Sequence, residues 1–180
     1  QEVQGIDFQY TVGPIPIADD LGKEIIVRFN SDLNSNETFY TDSNGRELQQ
    51  RQMNHRNFYQ YIVEDPVSGN YYPVNALISI KDDQQSFTLL TDRSCGGTSL
   101  HSGQLEIMVH RRLLYDDNKG VQEALNELGD DNKGLIVSMK NKLVLTSSKK
   151  SAYLQRKIQK SIYISSNAYT ITFASSNTTN

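Results

Sequence analysis

Cysteine is almost absent from this sequence. Cys95 is the single cysteine among 180 residues, so the chain has no partner for an internal disulfide. Cysteine usage therefore does not fix the redox compartment. Cys95 stands beside Gly96 and Gly97 without an identifiable catalytic partner. The sequence favours a structural thiol over a nucleophile at this position.

Long apolar runs and an excess of positive charge are also missing. No apolar run approaches the roughly 20 residues of a membrane-spanning helix, so we expect no membrane partner. Lysine and arginine number 18 against 21 acidic residues, which gives a net charge of −3. This balance argues against nucleic acid as a partner. Basic residues cluster between positions 140 and 160, and we interpret them as a solvated face.

Histidine is scarce and dispersed. His55, His101 and His110 lie far apart and fit no metal-ligand spacing such as H-x-H or HExxH. We therefore expect no metal site and no cofactor in this chain. The sequence begins at Gln1 without a charged segment followed by an apolar one, so no signal peptide is visible. We expect a processed or trimmed piece of a longer protein.

Alternation of apolar and polar residues is the dominant pattern, and it is typical of strands with one buried face. Such segments occur at residues 6–12, 25–29, 76–80, 87–90, 105–109 and 169–173. Turn residues separate them, notably at 42–45 and 81–84. Short helices are predicted at 121–128 and 151–159. Many short strands at this spacing predict an all-β fold, an antiparallel β-sandwich with little helix.

The length and composition fit one domain. With 37% hydrophobic and 22% charged residues, the chain has the composition of a globular protein. Its 180 residues suffice for one core and are too few for two ordinary domains. We expect a single β-rich domain over residues 1–180 with a polar tail at 175–180.

Four strings of residues carry a resemblance to a known family. They are FYTDSNGR at 39–46, PVSGNYYPVN at 66–75, LTDRSCGGTSL at 90–100 and MVHRRLLYDDNKG at 108–120. In this order and at these spacings they resemble the C-terminal β region of family 38 glycoside hydrolases, among them the lysosomal or vacuolar acid α-mannosidases. The resemblance extends from about residue 12 to about residue 127. It implies a supersandwich-like, galactose-mutarotase-like β domain.

The resemblance also implies a function that this chain does not carry out alone. Family members remove terminal α-D-mannose from N-linked oligosaccharides by a retaining, zinc-dependent reaction. Their nucleophile and zinc ligands lie in an N-terminal domain that this sequence lacks. We therefore expect an inactive chain whose partners are the N-terminal catalytic chain or chains of the same α-mannosidase and an N-glycan, in a lysosomal, vacuolar or secreted setting. A carbohydrate-binding module and a purely structural β domain remain alternatives.

Acidic pairs are present, but none predicts a catalytic dyad. Glycoside hydrolysis generally requires two carboxylates that flank the scissile bond. The pairs lie at 82–83, 116–117 and 130–131. Adjacent residues on a strand point to opposite faces, so such a pair cannot face one bond. For Asp116 and Asp117 we favour capping of a turn, and we predict no catalytic residue in this chain.

The segment His110-Arg111-Arg112 is the main candidate for a binding role. Adjacent arginines at the end of a strand point to opposite faces, and guanidinium groups suit carboxylates and paired sugar hydroxyls. The resemblance places one arginine in the substrate cleft, so Arg111 and Arg112 are both candidates for substrate binding. The sequence does not decide between them, and an inter-domain salt bridge is the alternative. For Tyr40, Tyr71 and Tyr72 we favour core packing over stacking on a sugar.

Two acceptor patterns for N-glycosylation occur, at Asn36 and at Asn177. Asn36 is the better candidate because the polar run 34–38 predicts an exposed loop. The sequence therefore predicts a glycan on Asn36.

Overall fold

Alternating apolar side chains build ten strands in residues 5–163, the part of the chain that the computed structural model describes. The strands are β1 Ile6–Val12, β2 Lys23–Asn30, β3 Thr38–Ser43, β4 Glu47–Gln52, β5 Tyr72–Val74, β6 Leu77–Lys81, β7 Gln85–Thr91, β8 Cys95–Thr98, β9 Gln104–Arg112 and β10 Val137–Ser147. The first sheet has the order β1-β10-β7-β6-β3-β4, and the second has the order β2-β9-β8-β5. All pairings are antiparallel, which confirms the predicted β-sandwich.

The main core lies between the two sheets. It is built from the inward members of the alternating strands, and its fully buried side chains include Phe39, Ile78, Ile80, Leu89, Leu105 and Ile107. A smaller cluster lies on the other side of the first sheet. There Leu77, Leu90 and Val144 pack against Ile158.

One α-helix, α1, spans Ser148–Tyr163 and follows β10 directly. It confirms the helix predicted at 151–159 and is longer than expected. Its buried side includes Leu154 and Ile158, spaced one turn apart so that both face the sheet. Among residues 5–163, no helix has the length and apolar character needed to cross a membrane.

The helix predicted at 121–128 is wrong. The structure has an irregular segment there. Gln122 has a φ of +60°, which a right-handed helix does not accommodate. Long-range contacts hold the segment instead: the Leu113 N–H donates to the Leu125 carbonyl, and Arg112 donates to the Asn126 side chain.

The predicted turns coincide with the observed hairpins. Between β3 and β4, Asn44 and Gly45 have φ values of +54° and +67°, a conformation that Asn and Gly tolerate well. Between β6 and β7, Asp82 accepts the N–H groups of Gln84 and Gln85. The strand predicted at 169–173 and the polar tail at 175–180 lie outside the described residues. The single domain over 1–180 stays a prediction.

Candidate functional site

The end of β9 carries both predicted arginines, and a bulge sets their directions. The pairing of β9 with β2 shifts between Ile25 and Ile26, which leaves Val109 as an extra residue. Beyond this bulge Arg111 pairs with Glu24 and Arg112 pairs with Lys23. The two arginines therefore have different surroundings, as strand alternation predicts.

Arg112 is buried and committed to contacts within this chain. Its residue exposure is 7%. Its Nε donates to Oδ1 of Asn126 at 2.7 Å and its Nη1 donates to the Ile15 carbonyl at 2.7 Å. A Cβ on Gly134 would lie only 2.3 Å from Nη1 of Arg112, so the glycine permits this close approach. Arg112 thus joins β9 to two loops and has little freedom to reach another molecule.

Arg111 is open to other molecules. Its side chain is 45% exposed, and its Nε lies 2.9 Å from Oε1 of Glu24. Within residues 5–163 this ion pair is the only polar contact of its guanidinium. The remaining N–H groups are therefore available to a ligand or to another polypeptide.

Arg111 shares a face of the second sheet with an ion pair between the exposed Arg28 and the buried Glu106. Glu106 lies between core residues Leu105 and Ile107 and therefore points away from the core. It pairs with Arg28, and Nε of Arg28 donates to Oε2 of Glu106 at 2.7 Å. Glu24 lies four residues before Arg28 on β2, so Glu24 and its partner Arg111 lie on this same outer face.

Tyr71 is a third member of this ion pair. Its hydroxyl donates to Oε1 of Glu106, which is 3% exposed. Burial raises the pKa of Tyr71, and the hydrogen bond to Glu106 and the charge of that carboxylate raise it further. Tyr71 is therefore a neutral donor at physiological pH, and Glu106 has a partner on each oxygen. These contacts fix the position of the Glu106 side chain on the outer face of the second sheet.

The predicted acidic pairs occupy turns. Asp116 accepts the Asn118 N–H at 2.7 Å, and Asp117 accepts the Lys119 N–H at 3.0 Å. Asp131 likewise accepts the Lys133 N–H at 3.0 Å. These carboxylates cap local backbone groups, as favoured from the sequence.

The described part of the chain offers neither a metal-binding cluster nor a reactive thiol. Among residues 5–163, no three His, Cys, Asp or Glu side chains are placed to share a metal ion. Burial raises the pKa of the Cys95 thiol to about 12, and the charges of Asp42 and Asp92 raise it further. Cys95 is therefore protonated at neutral pH and suits a structural role.

The tyrosines considered from the sequence pack against protein. Tyr72 meets Phe39 edge-on, with ring centroids 5.7 Å apart, and the Arg51 guanidinium lies 4.4 Å from its ring centroid. The Tyr40 ring lies beneath Lys81, whose Nζ is 4.6 Å from the centroid. Exposed aromatic rings occur instead at Phe58 and Tyr59, which the sequence analysis missed. Their signal was two adjacent aromatic residues inside an otherwise polar loop.

Asn36 lies in an exposed turn between β2 and β3. Its φ is +49°, and the Thr38 hydroxyl donates to its carbonyl at 3.3 Å. The side chain is exposed. Its accessibility fits an acceptor for a glycan, and the modification itself stays a prediction.

These features define a β-sandwich domain that offers an arginine on its outer sheet face but, within residues 5–163, neither a metal cluster nor a catalytic carboxylate pair. Comparison with known proteins gives the family. The profile of the "Glycosyl hydrolases family 38 C-terminal domain" matches residues 1–119. The chain belongs to this family, which confirms the resemblance seen in the sequence.

Similar proteins are α-mannosidases. The lysosomal alpha-mannosidase of Bos taurus is 49% identical over 154 residues, which cover 86% of this chain and 15% of the bovine protein. The alpha-mannosidase of Canavalia ensiformis is 46% identical over 121 residues, 67% of this chain and 12% of that protein. This chain therefore spans about 15% or less of the length of these relatives.

A solved structure shows the same fold. The crystal structure of an alpha-mannosidase from Enterococcus faecalis V583 aligns with a TM-score of 0.51 and 18% identity, over 76% of this chain and 14% of that chain. At this identity the match supports the sandwich fold alone.

Proposed function

We propose that this chain is the β-rich portion of an acid α-mannosidase that removes terminal α-D-mannose from N-linked oligosaccharides. The support is its membership of family 38 together with its 49% identity to a lysosomal alpha-mannosidase. The nucleophile and the zinc ion belong to a catalytic part outside this chain. The described residues offer no fit for zinc, so no step of the reaction is assigned to a metal here.

Arg111 is the contribution of this chain to the substrate cleft. The observation that carries this proposal is the contrast between the two arginines: Arg112 is committed to Ile15 and Asn126, whereas Arg111 is exposed beside Glu24. Glu24 holds one edge of the Arg111 guanidinium, and the opposite edge is free to donate to paired sugar hydroxyls or to a cleft carboxylate. Arg112 supports this arrangement by fixing the end of β9.

The test is to substitute each arginine in the assembled enzyme. Arg111→Ala should lower kcat/KM by about 10- to 100-fold, because a charge-assisted hydrogen bond contributes about 1.5–3 kcal/mol. Lysine at this position should rescue poorly, because it lacks the planar fork. Arg112→Ala should chiefly lower the melting temperature, because it leaves buried partners unsatisfied.

Arg93→Ala is the matched control. Arg93 is 49% exposed and makes an ion pair with Asp92 at 3.2 Å, so it matches Arg111 in exposure and in having an acidic partner. We expect unchanged kinetics for this variant. Unchanged kcat/KM in Arg111→Ala would remove this chain from the substrate cleft.

A lysosomal, vacuolar or secreted setting and a glycan on Asn36 belong to the same proposal. The lysosomal alpha-mannosidase of Bos taurus supports the first, and the exposed Asn36 turn supports the second. Mass analysis of the native protein before and after enzymatic deglycosylation tests the modification. An unmodified peptide containing Asn36 would contradict it.

A further inference from the structure

Two arginines gather on one tyrosine ring beside the edge strand β4. The guanidinium carbons of Arg51 and Arg56 lie 4.4 and 5.1 Å from the ring centroid of Tyr72. They line a cleft of about 150 Å³ between β4 and the loop that follows it. We call this space the arginine cleft, and its walls include Gln50, Arg51, Arg56, Asn57, Tyr59 and Tyr72.

The walls of the arginine cleft are fixed in place. Arg56 lies 4.3 Å from the Tyr61 ring centroid and donates to the carbonyls of His55 and Gly69. Gly69 packs so closely on Tyr61 that an added Cβ would overlap the hydroxyl at 2.1 Å. Arg51 donates through Nε to the Thr41 hydroxyl at 3.2 Å. Both guanidinium groups are therefore oriented before any ligand arrives.

A buried asparagine ties the base of the loop. The Asn70 amide donates to Oδ1 of Asn54 at 2.7 Å and to the Pro66 carbonyl at 2.9 Å. Its own Oδ1 accepts the Asn54 N–H at 2.9 Å, and its carbonyl accepts the Thr98 hydroxyl at 2.8 Å. These bonds join the two ends of the loop, at Asn54 and Asn70, to each other and to the sheet. The part of the loop between them is therefore held in place as one wall of the arginine cleft.

The two positive charges of the arginine cleft have no acidic partner among the described residues. Within residues 5–163, neither Arg51 nor Arg56 has a carboxylate within 4 Å. Two like charges on one ring disfavour the folded state, and local conflicts of this kind are typical of binding sites. Contacts with the tyrosine rings offset part of this cost. The remaining N–H groups are left to an oxygen-rich ligand.

Aromatic exposure points to the kind of ligand. Tyr59 is 62% exposed and Phe58 is 98% exposed at the mouth of the cleft. An apolar ring packs well on the C–H face of a pyranose, while planar amides such as those of Gln50 and Asn57 both donate to and accept from hydroxyl groups. A bare anion would accept hydrogen bonds from the arginines. It would make no favourable contact with the aromatic rings or with the amide oxygens of Gln50 and Asn57.

We propose that the arginine cleft binds a single sugar residue of a mannose-containing oligosaccharide. The volume of about 150 Å³ fits one pyranose ring. The choice of mannose rests on the proposed function, whereas the preference for a sugar rests on the cleft. Arg51 and Arg56 donate to ring hydroxyls, and Tyr59 covers the apolar face of the sugar.

The test is an NMR titration of the ¹⁵N-labelled 180-residue chain with methyl α-D-mannoside. We expect saturable amide shifts confined to residues 49–59 and Tyr72, and a Kd of about 1 mM, the value that about a dozen ligand heavy atoms supply at ordinary ligand efficiency. Tyr59→Ala should weaken binding at least about fivefold, because it removes the stacking ring. Tyr153→Ala is the matched control, since Tyr153 is 71% exposed on α1, and it should bind as the wild type does.

Three outcomes would overturn the proposal. One is the absence of saturation up to about 50 mM mannoside, far above the expected Kd. The second is equal shifts with inorganic phosphate, which would define an anion site. The third is unchanged mannoside binding in Tyr59→Ala. Because the titration has no hydrolytic readout, its failure is distinguishable from failure of the Arg111 test.

Discussion

Single residues show how this sandwich satisfies buried polar groups. Asp42 is 4% exposed. Its Oδ1 accepts the N–H groups of Asn75, Ala76 and Leu77 at 2.7–2.9 Å, and its Oδ2 accepts that of Gly45 at 2.7 Å. One carboxylate thus joins the β3–β4 turn to the start of β6. Asp42, the aspartate of the string FYTDSNGR, therefore has this structural role and not a catalytic one.

Asp42→Ala should therefore be strongly destabilising. Four backbone N–H groups would lose their acceptor, and we expect a loss of about 3–5 kcal/mol in the free energy of unfolding. Urea unfolding at neutral pH measures this loss of stability. Asp7→Ala is the control, because Asp7 is 73% exposed in its ion pair with Lys142 and should cost less than about 1 kcal/mol. Similar losses in the two variants would refute the bridging role of Asp42.

Cys95 should be nearly inert to alkylation. Its pKa is raised to about 12 by burial and by nearby carboxylates, whereas an ordinary thiol titrates near 8.5. At pH 7 its thiolate fraction is lower by about three orders of magnitude, and alkylation by iodoacetamide should slow at least as much. Below pH 12 the rate should rise about tenfold per pH unit with no plateau near pH 9. A plateau there would mean an ordinary, accessible thiol.

At the scale of elements, the sequence predicted what burial on one face dictates. β1, β2 and the inward faces of β6, β7 and β9 follow from alternation. Almost every residue of β6 and β7 is nevertheless buried, because α1 covers their other face. The same rule separated Arg111 from Arg112. The rule could not say which arginine is buried, because the answer depends on the extra residue at Val109 and on contacts with Ile15 and Asn126. Such contacts join residues that are distant in sequence and leave no local pattern.

In the loop between β9 and β10, the sequence pattern predicted a helix that the structure does not contain. Its apolar residues Val121, Leu125 and Leu128 have helical spacing, yet they are 80%, 43% and 53% exposed. Within residues 5–163 these side chains join neither buried apolar cluster, and packing supplies most helix stability in proteins. The arginine cleft was missed for a related reason, since its two arginines meet on Tyr72 through the fold and not through sequence spacing.

α1 contains a charge conflict that can be tested. Its first turn has no acidic residue and includes Lys149 and Lys150, while Lys160 lies in the last turn. Because the helix dipole favours anions at the N-terminus and cations at the C-terminus, Lys150→Glu should stabilise the chain by about 0.3–1 kcal/mol. Lys160→Glu makes the same charge change and should destabilise it by a similar amount. Urea unfolding at low salt measures the change in the free energy of unfolding for both variants. A change in the same direction in both would show that net charge matters more than position in the helix.

At the scale of the whole molecule, the sandwich formed by residues 5–163 has four edge strands. β1 and β4 end the first sheet, and β2 and β5 end the second. Edge strands of this kind pair with other chains unless they are covered. Exposed apolar side chains such as Ile6, at 61%, and Phe58, at 98%, add to this surface. The alignment covers 15% of the bovine relative, and in the proposed assembly the rest of an α-mannosidase would cover part of this surface.

The 180-residue chain alone should have no α-mannosidase activity. A retaining glycosidase needs two carboxylates about 5–5.5 Å apart across the scissile bond, whereas Asp116, Asp117 and Asp131 cap turns and Glu106 is held by Arg28 and Tyr71. Added zinc should not restore activity, because residues 5–163 offer no cluster to bind it. A chromogenic α-mannoside assayed at acidic and neutral pH, with the assembled enzyme as positive control, measures this. Turnover by the purified chain that Arg111→Ala abolishes would instead place a complete catalytic site within these residues, and the division of labour proposed here would be wrong.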